Sequence, residues 1–523
     1  MNKTFMRIVS VVLCFTLVFC AGTFSSSAEG EAAPSGTDAN TPFRISVSMN
    51  GDASSQRGFC WYTGEECESA VEICENGIPI NAVQRDAVCE EWEGNFMHKV
   101  TVAGLSAGKT YTFRVGDGAN WSEVGSFTTD DGDSSFSFIT IADVQAGNPE
   151  NFRKGARTLS AAYQTAPDAG FFAALGDFTN DSDNEQWDYY DDAFSQLNLN
   201  KTIVPVAGNH DGLGVKYWFN NMFNLDTSES VEVKDGVNYS FDYGNAHIAV
   251  VNTNDMFCMT LSQLRWLKND MNSTDKDWKI IFMHKSPYTL GKDGKWPDAL
   301  SLQRSLTAVC DMCDVDLVMS GHDHMYLRTK PLKGNRLNDE GTTYVLSGTA
   351  GSKRYEIRKF LAGHFLNKKF IAALNVQRDD YNNYWDGESW DNLKHTNVGG
   401  CYNTVTISGG TLTLNSYILS DSITEETYDG SAGDGAFFVD VVNEAGEQEK
   451  RLVTNTDTYT VTKETGKNKA TFSGDNTTSE AAYALGLVPS FFCLAVYTFG
   501  EWLPKFLSLV PELLYSVIVE DTF

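Results

Sequence analysis

The stretch "MSGHDHMY" at residues 319–326 ends an apolar run with two histidines one residue apart. The whole chain has only eight histidines, and each neutral imidazole offers a ring nitrogen that binds metal ions. In an extended backbone, the side chains at positions i and i+2 lie on the same side, so the two rings could face one ligand. An H-x-H pair alone is weak evidence, and its meaning depends on the rest of the chain.

Four further apolar runs upstream end in the same way, in Asp, Asn or His. They are "SFSFITIAD" (135–143), "GFFAALGD" (170–177), "IVPVAGNHD" (203–211) and "KIIFMHKSP" (279–287). Their lack of alternation is typical of strands that are buried on both faces. Helical patterns lie between them, at 149–166, 261–271 and 300–313. Alternating strands and helices predict an α/β domain, in which ligands collect at the carboxyl ends of the strands.

The side chains at these strand ends form a mixed set of carboxylates, amides and imidazoles. They are Asp143, Gln145, Asp177, Asn209, His210, Asp211, His284, His322 and His324. Such a set suits a pair of divalent cations, which one carboxylate can bridge at roughly 3.5–4 Å so that both polarise one water. A single Asp or Asn after a strand is more often a turn former or helix cap. Five such motifs in order are hard to obtain by chance, so the sequence predicts a two-metal site.

Composition and charge limit the class of protein. The 523 residues predict two or three domains, and 42% hydrophobic content is ordinary for a globular protein. The formal charge of −29 argues against nucleic-acid binding, because affinity for phosphate backbones rests on basic patches. It suits a soluble extracellular protein.

The two ends of the chain carry hydrophobic segments. Residues 1–28 have the pattern of an export signal, with an uncleaved anchor as the alternative, and a linker is predicted at 29–41. Residues 481–519 could span a bilayer, but Pro489 weakens a helix there and no basic cluster flanks the segment. A membrane anchor, a surface-lying amphipathic hairpin and a packed helix pair remain open. We therefore expect a secreted or cell-surface protein, with membrane association through 481–519 as one alternative.

Residues 42–130 alternate short apolar stretches with turns, which predicts a small antiparallel sandwich. Residues 98–129 resemble the closing strands of a fibronectin type III module, through the Leu105 turn, the Tyr111 strand and the final F-T-T. The same region holds four cysteines that could form one or two disulfides or remain free thiols: Cys60, Cys67, Cys74 and Cys89.

The second predicted domain covers 134–425, where 402–419 resumes strand alternation, and 431–475 could form an appended β element. The sequence also suggests roles for several other residues. Cys310 and Cys313 are predicted to pack and not to bind metal, because their spacing is wrong for a zinc finger and an i, i+3 pair on a helix is usual for packing. An insertion at about 352–400 could form a lid or cover a sheet edge. Asn252 and Asn254 could reach the site, and Tyr326 and Arg328 could pack or meet substrate. His395 lies in the insertion. His98 and His247 are predicted to be structural, and His364 to lie on the surface or to pack.

The order D-x-Q, G-D-x-x-N, G-N-H-D, H and G-H-x-H resembles the calcineurin-like metallophosphoesterase superfamily. The β module in front makes the chain most similar to the purple acid phosphatase branch, and "GHDHMYLRTKPL" (321–332) and "YVLSGTAG" (344–351) extend the likeness. The resemblance covers about residues 43–420. It implies a four-layer α/β/β/α sandwich preceded by an all-β fibronectin type III-like domain.

The resemblance also implies roles for the site residues. Asp143 and His324 would bind the first metal ion, Asp177 would bridge, and the second would be bound by Asn209, His284 and His322. His210 would act as general acid or transition-state stabiliser, and Asp211 could orient it, with surface capping as the alternative.

Two residues depart from the pattern of the branch. Asn180 stands where the branch has the tyrosine whose phenolate on Fe(III) gives the colour, so no purple band is expected. Gln145 stands where many relatives carry His, and its amide oxygen would bind metal more weakly or only hydrogen-bond a metal-bound water. The two ions could therefore be divalent or mixed-valence, and Fe, Zn and Mn all fit.

The function implied is that of an exported, acid phosphatase-like phosphoesterase. It would hydrolyse small phosphate monoesters by attack of a hydroxide that bridges the two metal ions. A phosphodiesterase or nucleotide pyrophosphatase using the same site is one alternative. A non-catalytic cell-surface binding protein is an alternative of another class.

Overall fold

The computed structural model describes residues 39–211, 218–230, 237–254, 258–291, 297–357, 370–377, 381–385, 390–394, 398–430 and 435–465, which belong to one compact unit. The predicted signal peptide, most of the linker, His364, His395 and the hydrophobic segment 481–519 lie outside the described residues. Within the described ranges, no helix has the length and apolar character needed to cross a membrane.

The chain forms six α-helices in the described ranges: α1 (Pro149–Thr165), α2 (Asn184–Asn200), α3 (Trp218–Met222), α4 (Leu261–Ser273), α5 (Pro297–Arg304) and α6 (Leu306–Cys313), with a 3₁₀ turn at Ser228–Ser230. The first strands are β1 (Phe43–Ser48), β2 (Gln56–Thr63), β3 (Ala70–Glu75), β4 (Ile78–Pro79), β5 (Val83–Trp92), β6 (Asn95–Ala103), β7 (Thr110–Gly116) and β8 (Gly125–Thr128).

The strands of the middle region are β9 (Ser135–Ile141), β10 (Phe172–Ala174), β11 (Ile203–Pro205), β12 (Tyr239–Tyr243), β13 (Ala246–Val251), β14 (Trp278–Met283), β15 (Leu317–Ser320), β16 (Tyr326–Thr329), β17 (Leu332–Lys333), β18 (Arg336–Leu337) and β19 (Thr343–Ser347). The last are β20 (Ile371–Gln377), β21 (Tyr381–Trp385), β22 (Trp390–Lys394), β23 (Gly399–Ser408), β24 (Thr411–Thr424), β25 (Ala436–Val442) and β26 (Gln448–Thr462).

Two large sheets face each other. The first has eleven strands in the order β25-β26-β24-β23-β9-β10-β11-β1-β2-β6-β5, and the second has nine in the order β12-β13-β14-β15-β19-β16-β20-β21-β22. Strands β9, β10 and β11 run parallel in the first sheet, and β13, β14, β15 and β19 run parallel in the second. The strand ends that carry the polar motifs therefore meet at one edge of each sheet.

Buried side chains join the layers. Between the sheets, apolar residues of β9 and β11 such as Phe138 and Val204 share one cluster with residues of β14 and β15 such as Ile280. The outer face of the first sheet packs on α1 and α2, and the outer face of the second packs on α4 and α6. This is the predicted four-layer α/β/β/α arrangement, so the fold-class prediction is confirmed.

Local signals explain where two of the helices begin. The Asn148 side chain accepts a hydrogen bond from the Asn151 N–H at the start of α1, and proline occupies the first turn of the helix. Helix α4 begins with a reciprocal capping box between Thr260 and Gln263. The helix predicted over 300–313 is instead two helices that meet at Ser305.

The first eight strands form a β sandwich whose core includes Phe59, Trp61 and Phe113. The Tyr111 hydroxyl accepts a hydrogen bond from the Ser106 N–H at 2.8 Å, which ties β7 to the preceding turn. One sheet of the sandwich continues into the first large sheet, because β1 pairs in parallel with β11. The all-β region is thus built into the same sheet as the strand-end motifs. Its likeness to a fibronectin type III module and the predicted domain boundaries stay predictions.

Candidate metal centre

The backbone bends sharply at the ends of the strands that carry the motifs. Five site residues that are not glycine adopt positive φ: Asp143 (54°), Gln145 (36°), Asp177 (55°), His322 (81°) and His324 (45°). This conformation is uncommon for side-chain-bearing residues and costs free energy unless the surroundings enforce it. Its repetition at five strand-end positions brings these side chains towards one point.

Two glycines make this convergence possible. A Cβ atom on Gly176, whose φ is +91°, would lie 2.5 Å from His284 Nδ1, and one on Gly208 would lie 2.0 Å from the Asp177 backbone nitrogen. Only glycine allows backbone and ligand side chains to approach so closely.

The converging side chains form two groups that share one carboxylate. Asp177, His284 and His322 form one group, and Asp143, Asp177 and His324 form the other; within each group the nearest ligand atoms all lie within 4.8 Å of one another. The Asp177 Oδ1 atom is 3.3 Å from His284 Nε2, and Asp143 Oδ1 is 3.6 Å from His324 Nε2. Asp177 therefore has the position that a bridging ligand needs.

Hydrogen bonds on the far side of two imidazoles fix their orientation. His284 Nδ1 donates to the Leu175 carbonyl at 2.8 Å, and His324 Nδ1 donates to the Lys353 carbonyl at 2.7 Å. Each Nε2 atom therefore faces the carboxylates and is the ring nitrogen that can bind a metal ion. His322 Nδ1 lies 3.2 Å from His284 Nε2, a contact that a shared proton or cation would stabilise.

The pKa values of the three histidines differ: two imidazoles are neutral, and the third lies where a positive charge is stabilised. Burial lowers the pKa of His322 well below its ordinary value and lowers that of His324 to about 3, so both rings are neutral at pH 7. Burial also lowers the pKa of His284, but the Asp177 carboxylate outweighs it and raises the pKa to about 9. Burial raises the pKa of Asp143. The His284 Nε2 position thus attracts positive charge, whether a proton or a metal ion.

The remaining donors fit a metal pair. Gln145 Oε1 and His324 Nε2 are buried without a hydrogen-bond partner among the described residues, which is costly unless another ligand satisfies them. Asn209 Oδ1 lies 3.1 Å from His284 Nε2 and completes the second group. Imidazole nitrogens with carboxylate and amide oxygens suit Mn, Fe and Zn, so these residues fit the ions that the sequence implies.

His210 is half-buried at the rim of the site. Its ring Nδ1 donates to the Asn180 carbonyl at 2.5 Å, and its backbone N–H donates to Asp177 Oδ1 at 2.8 Å. The side chain is thus held beside the shared carboxylate by the same loop that carries Asp177.

Asp211 does not have the geometry that the sequence suggested. Its carboxylate accepts from the backbone N–H groups of Asp177, Phe178, Thr179 and Gly208 at 2.7–3.4 Å, and the His210 ring bonds to Asn180 instead. At 1% exposure it is not a surface cap either. Four donors converge because the Asp177 loop turns back on itself, so Asp211 holds that loop rather than the His210 ring.

Four polar residues for which the sequence left two roles open form hydrogen bonds within the protein. Asn252 Oδ1 accepts from the side-chain amide of Asn254, which also donates to the Ala207 carbonyl, so this pair supports the loop before Asn209. Tyr326 and Arg328 both donate to Asp457 of β26, at 2.6–3.0 Å, which is a structural role.

Cys310 and Cys313 lie on α6 and are buried in the core against which it packs, and the cysteines in the described ranges are free thiols. No sequence pattern predicted a role for Lys353, whose carbonyl orients His324. The Gly-rich stretch at 348–351, just before it, was the only local indication that this segment approaches the site.

Known proteins match these same parts of the chain. A family described as calcineurin-like phosphoesterase matches residues 136–326, and one described as purple acid phosphatase, N-terminal domain matches 42–129. Purple acid phosphatase 22 of Arabidopsis thaliana is 24% identical over 271 residues, which cover 49% of this chain and 59% of that protein. Acid phosphatase type 7 of Homo sapiens is 26% identical over 301 residues, which cover 49% of this chain and 64% of that protein.

In both relatives, the match spans less than two thirds of the relative's length. A solved structure of PhoD superposes with a TM-score of 0.53 at 12% identity, over 88% of this chain and 99% of that one. At this identity the likeness concerns the fold alone.

Proposed function

Because the chain carries a calcineurin-like phosphoesterase domain behind a purple acid phosphatase N-terminal domain, we propose that it is an exported, dinuclear-metal-dependent phosphoesterase acting on phosphate monoesters. One observation carries the proposal above the others: Asp177 belongs to both ligand groups, with its atoms within 4.8 Å of the histidines of each. A carboxylate shared by two groups of ligands, each with at least one imidazole, is what a two-metal hydrolytic site requires.

The residues divide between the two ions. Asp143, Gln145 and His324 would hold one ion, with Gln145 contributing through its unpartnered Oε1 atom. Asn209, His284 and His322 would hold the other, and Asp177 would be shared. Bound together, the ions would neutralise the phosphate oxygens and activate a water.

His210 would supply the proton for the departing alcohol. Its Nδ1–H donates to the Asn180 carbonyl, so Nε2 is the atom that can carry a proton to the substrate. The anchored ring and its position at the rim suit a general acid. Asp211 would act indirectly, by holding the loop that carries Asp177.

The test of this assignment is His210→Ala. For an alkyl phosphate, whose leaving group needs a proton, kcat should fall by about 10²–10⁴-fold. For nitrophenyl phosphate, whose leaving group is stable as an anion, the loss should be much smaller. The control is Ser69→Ala, in the N-terminal sandwich, which should leave both rates unchanged. Equal losses for the two substrates would reject His210 as the acid.

A substrate panel tests the reaction itself. Protein loaded with Mn²⁺ or Zn²⁺ should hydrolyse nitrophenyl phosphate faster than bis-nitrophenyl phosphate, whereas the reverse order would indicate a phosphodiesterase. Full metal loading with no turnover across the panel would indicate a binding protein. Because Asn180 offers no phenolate, iron-loaded protein should lack a purple absorption band.

Export is supported by the charge, apolar stretch and small residues of positions 1–28. Mass measurement of the protein recovered outside the producing cell should give a mature chain that begins after Ala28. Retention of the full chain inside the cell would contradict export.

A further inference from the structure

The two ligand groups of the candidate metal centre differ in their number of imidazoles. The first group consists of Asp143, Asp177 and His324, so it has one histidine, whereas the second group has two. The first group can gain the buried amide oxygen of Gln145, which has no hydrogen-bond partner among the described residues. An imidazole nitrogen suits Zn and Fe better than an amide oxygen does. The affinity of the first group for its ion would therefore depend on the orientation of a single ring, that of His324.

Two residues of one segment hold that ring. The Lys353 carbonyl accepts the hydrogen bond from His324 Nδ1 at 2.7 Å, at the edge of the imidazole. The Tyr355 ring stacks on the face of the imidazole, with ring centroids 4.2 Å apart and an angle of 24° between the two planes. The hydrogen bond restrains the direction of the ring nitrogens, and the stacked ring restrains the tilt of the imidazole plane.

Tyr355 has a fixed position of its own. Its half-buried side chain packs against the core cluster on the outer face of the second large sheet. The neighbouring Arg354 donates to Gln377 Oε1 at 3.2 Å and to Asp421 Oδ2 at 2.7 Å. Because Gln377 belongs to β20 and Asp421 to β24, the segment is attached to both large sheets. The Tyr355 ring therefore forms a supported wall against the imidazole.

We infer that Tyr355 is a positioning residue for the first ligand group: by stacking on His324 it keeps Nε2 directed towards the two carboxylates of that group, and so it sets the affinity of the group for its ion. The ligand is a divalent transition-metal cation such as Zn²⁺ or Mn²⁺. The inference rests on the two-metal site of the proposed function. It implies an asymmetry, because loss of the Tyr355 ring should weaken the binding of one ion and spare the other.

The experiment measures the binding of Zn²⁺ and of Mn²⁺ by calorimetry, on metal-free full-length wild type, Tyr355→Leu, Tyr355→Ala and Tyr355→Phe. In the leucine and alanine variants, the Kd of one ion should rise roughly 10-fold, a size at which the loss of an aromatic pair and the loss of a group that orients a metal ligand overlap. The Kd of the other ion should stay the same. Tyr355→Phe keeps the ring and should bind both ions as the wild type does.

The matched control is Tyr417→Leu. Tyr417 is also half-buried, and its ring stacks on that of Tyr402 with the centroids 5.2 Å apart. Its loss should leave the Kd of both ions unchanged, which separates the loss of a stacked tyrosine from the loss of this one.

A second comparison tests whether the ring acts through His324. His324→Ala should retain one ion, held by the second group. Addition of Tyr355→Leu to this variant should leave the Kd of the retained ion unchanged, because the partner of the ring is already gone.

Several results would overturn the inference. Wild-type Kd values for both ions in folded Tyr355→Leu protein would do so, as would a loss in Tyr355→Phe as large as that in Tyr355→Leu. Weakening of the retained ion in the His324→Ala background would mean that Tyr355 supports the whole site and not this imidazole. A wild type that binds fewer than two ions would reject the two-metal site, and the inference with it. An asymmetric loss of metal in a protein that turns over no phosphate ester would reject the proposed reaction but support the inference.

Discussion

His284 in the candidate metal centre and His98 in the N-terminal sandwich are both fully buried, yet their surroundings differ. His98 Nδ1 lies 2.9 Å from the Ser69 hydroxyl and Nε2 lies 2.8 Å from the Thr63 hydroxyl. The thiols of Cys67 and Cys89 lie farther from Nε2, at 3.8 and 3.9 Å, and the ring stacks on Trp61. A hydroxyl can either donate or accept, so a neutral ring is satisfied there. His284 Nε2 instead faces an amide oxygen, a carboxylate oxygen and another imidazole nitrogen, all at 3.1–3.3 Å.

The difference lies in the kind of group that faces each ring nitrogen. A single proton on His284 Nε2 can bond well to only one of three neighbours, and at most one nitrogen of the His284–His322 contact can donate. A divalent ion can satisfy all of them together. A buried histidine whose nitrogens face hydroxyls or thiols, which can donate or accept, is satisfied without an ion, whereas a nitrogen crowded by acceptors indicates a ligand site.

The largest effect should come from the residue at the centre of the crowded group. Asp177→Asn keeps the shape but removes the charge shared by both ligand groups. We expect kcat for nitrophenyl phosphate to fall by at least about 10²–10³-fold, with bound metal falling below two ions per chain. Wild-type protein should also gain about 2.7 kcal/mol of unfolding free energy when the metal concentration is 100 times its Kd, and the variant should gain much less.

The matched substitution in the other environment is Thr63→Val, beside His98. It should lower the free energy of unfolding by about 1 kcal/mol through the lost hydrogen bond, with metal content and kcat unchanged. An Asp177→Asn variant that keeps two ions and wild-type turnover would contradict the distinction between the two surroundings.

The second-largest effect is expected at a crowded cluster of polar side chains that is not a metal site. Asp457 of β26 accepts hydrogen bonds from Tyr326 and Arg328, and all three side chains are buried. Every donor here has an acceptor, so the cluster is structural. Asp457→Ala should lower the free energy of unfolding by about 3–5 kcal/mol, because it leaves the Arg328 charge buried and unpaired.

Chemical denaturation measures that loss, and Gln448→Ala, at an exposed position on the same strand, is the control. Loss of metal binding by folded Asp457→Ala protein, at temperatures well below its Tm, would mean that the cluster does more than stabilise the fold.

The sequence predicted which side chains converge better than it predicted the residues that hold the fold and the site in place. Asp143, Asp177, His284 and the histidine pair follow apolar strands directly, and parallel strands bring their ends together whatever the details of packing. Asp457 and Lys353 follow no such rule. Their partners are 129 and 29 residues away, and local periodicity carries no information about which distant strand lies alongside.

The same reason explains two other differences. The N-terminal sandwich was predicted as a domain, but no local pattern indicated that β1 pairs with β11, a contact that joins residues 48 and 203. Asp211 looked like a partner of the adjacent His210 because it follows it in sequence. The turn after β11 directs its carboxylate towards four backbone N–H groups instead.

The smallest effect is a pH dependence that separates two structural histidines. His247 contacts Asp242 at 2.7 Å and Asp270 at 2.9 Å, with Lys276 close to Asp242. Burial lowers the pKa of His247, but the two carboxylates outweigh it and raise the pKa to about 9. Since the folded pKa exceeds the unfolded value of about 6.5, the stabilisation is complete below that value and is lost as pH rises through 9. Because the Asp242 side chain is 50% exposed, we expect only about 1–2 kcal/mol.

His98 should show the opposite sign, since burial lowers its pKa to about 4. Its contribution is present above pH 6.5 and is lost as pH falls towards 4. Unfolding free energies measured from pH 6.5 to 9.5 should therefore decline in wild-type protein and in Thr63→Val, but stay flatter in His247→Gln. These free energies are measured on metal-loaded protein, because His284, whose pKa is also raised to about 9, would otherwise add its own decline over the same pH range. A His247→Gln variant that keeps the full wild-type decline would show that its two carboxylates do not hold a proton on the ring, and would remove the contrast with His98.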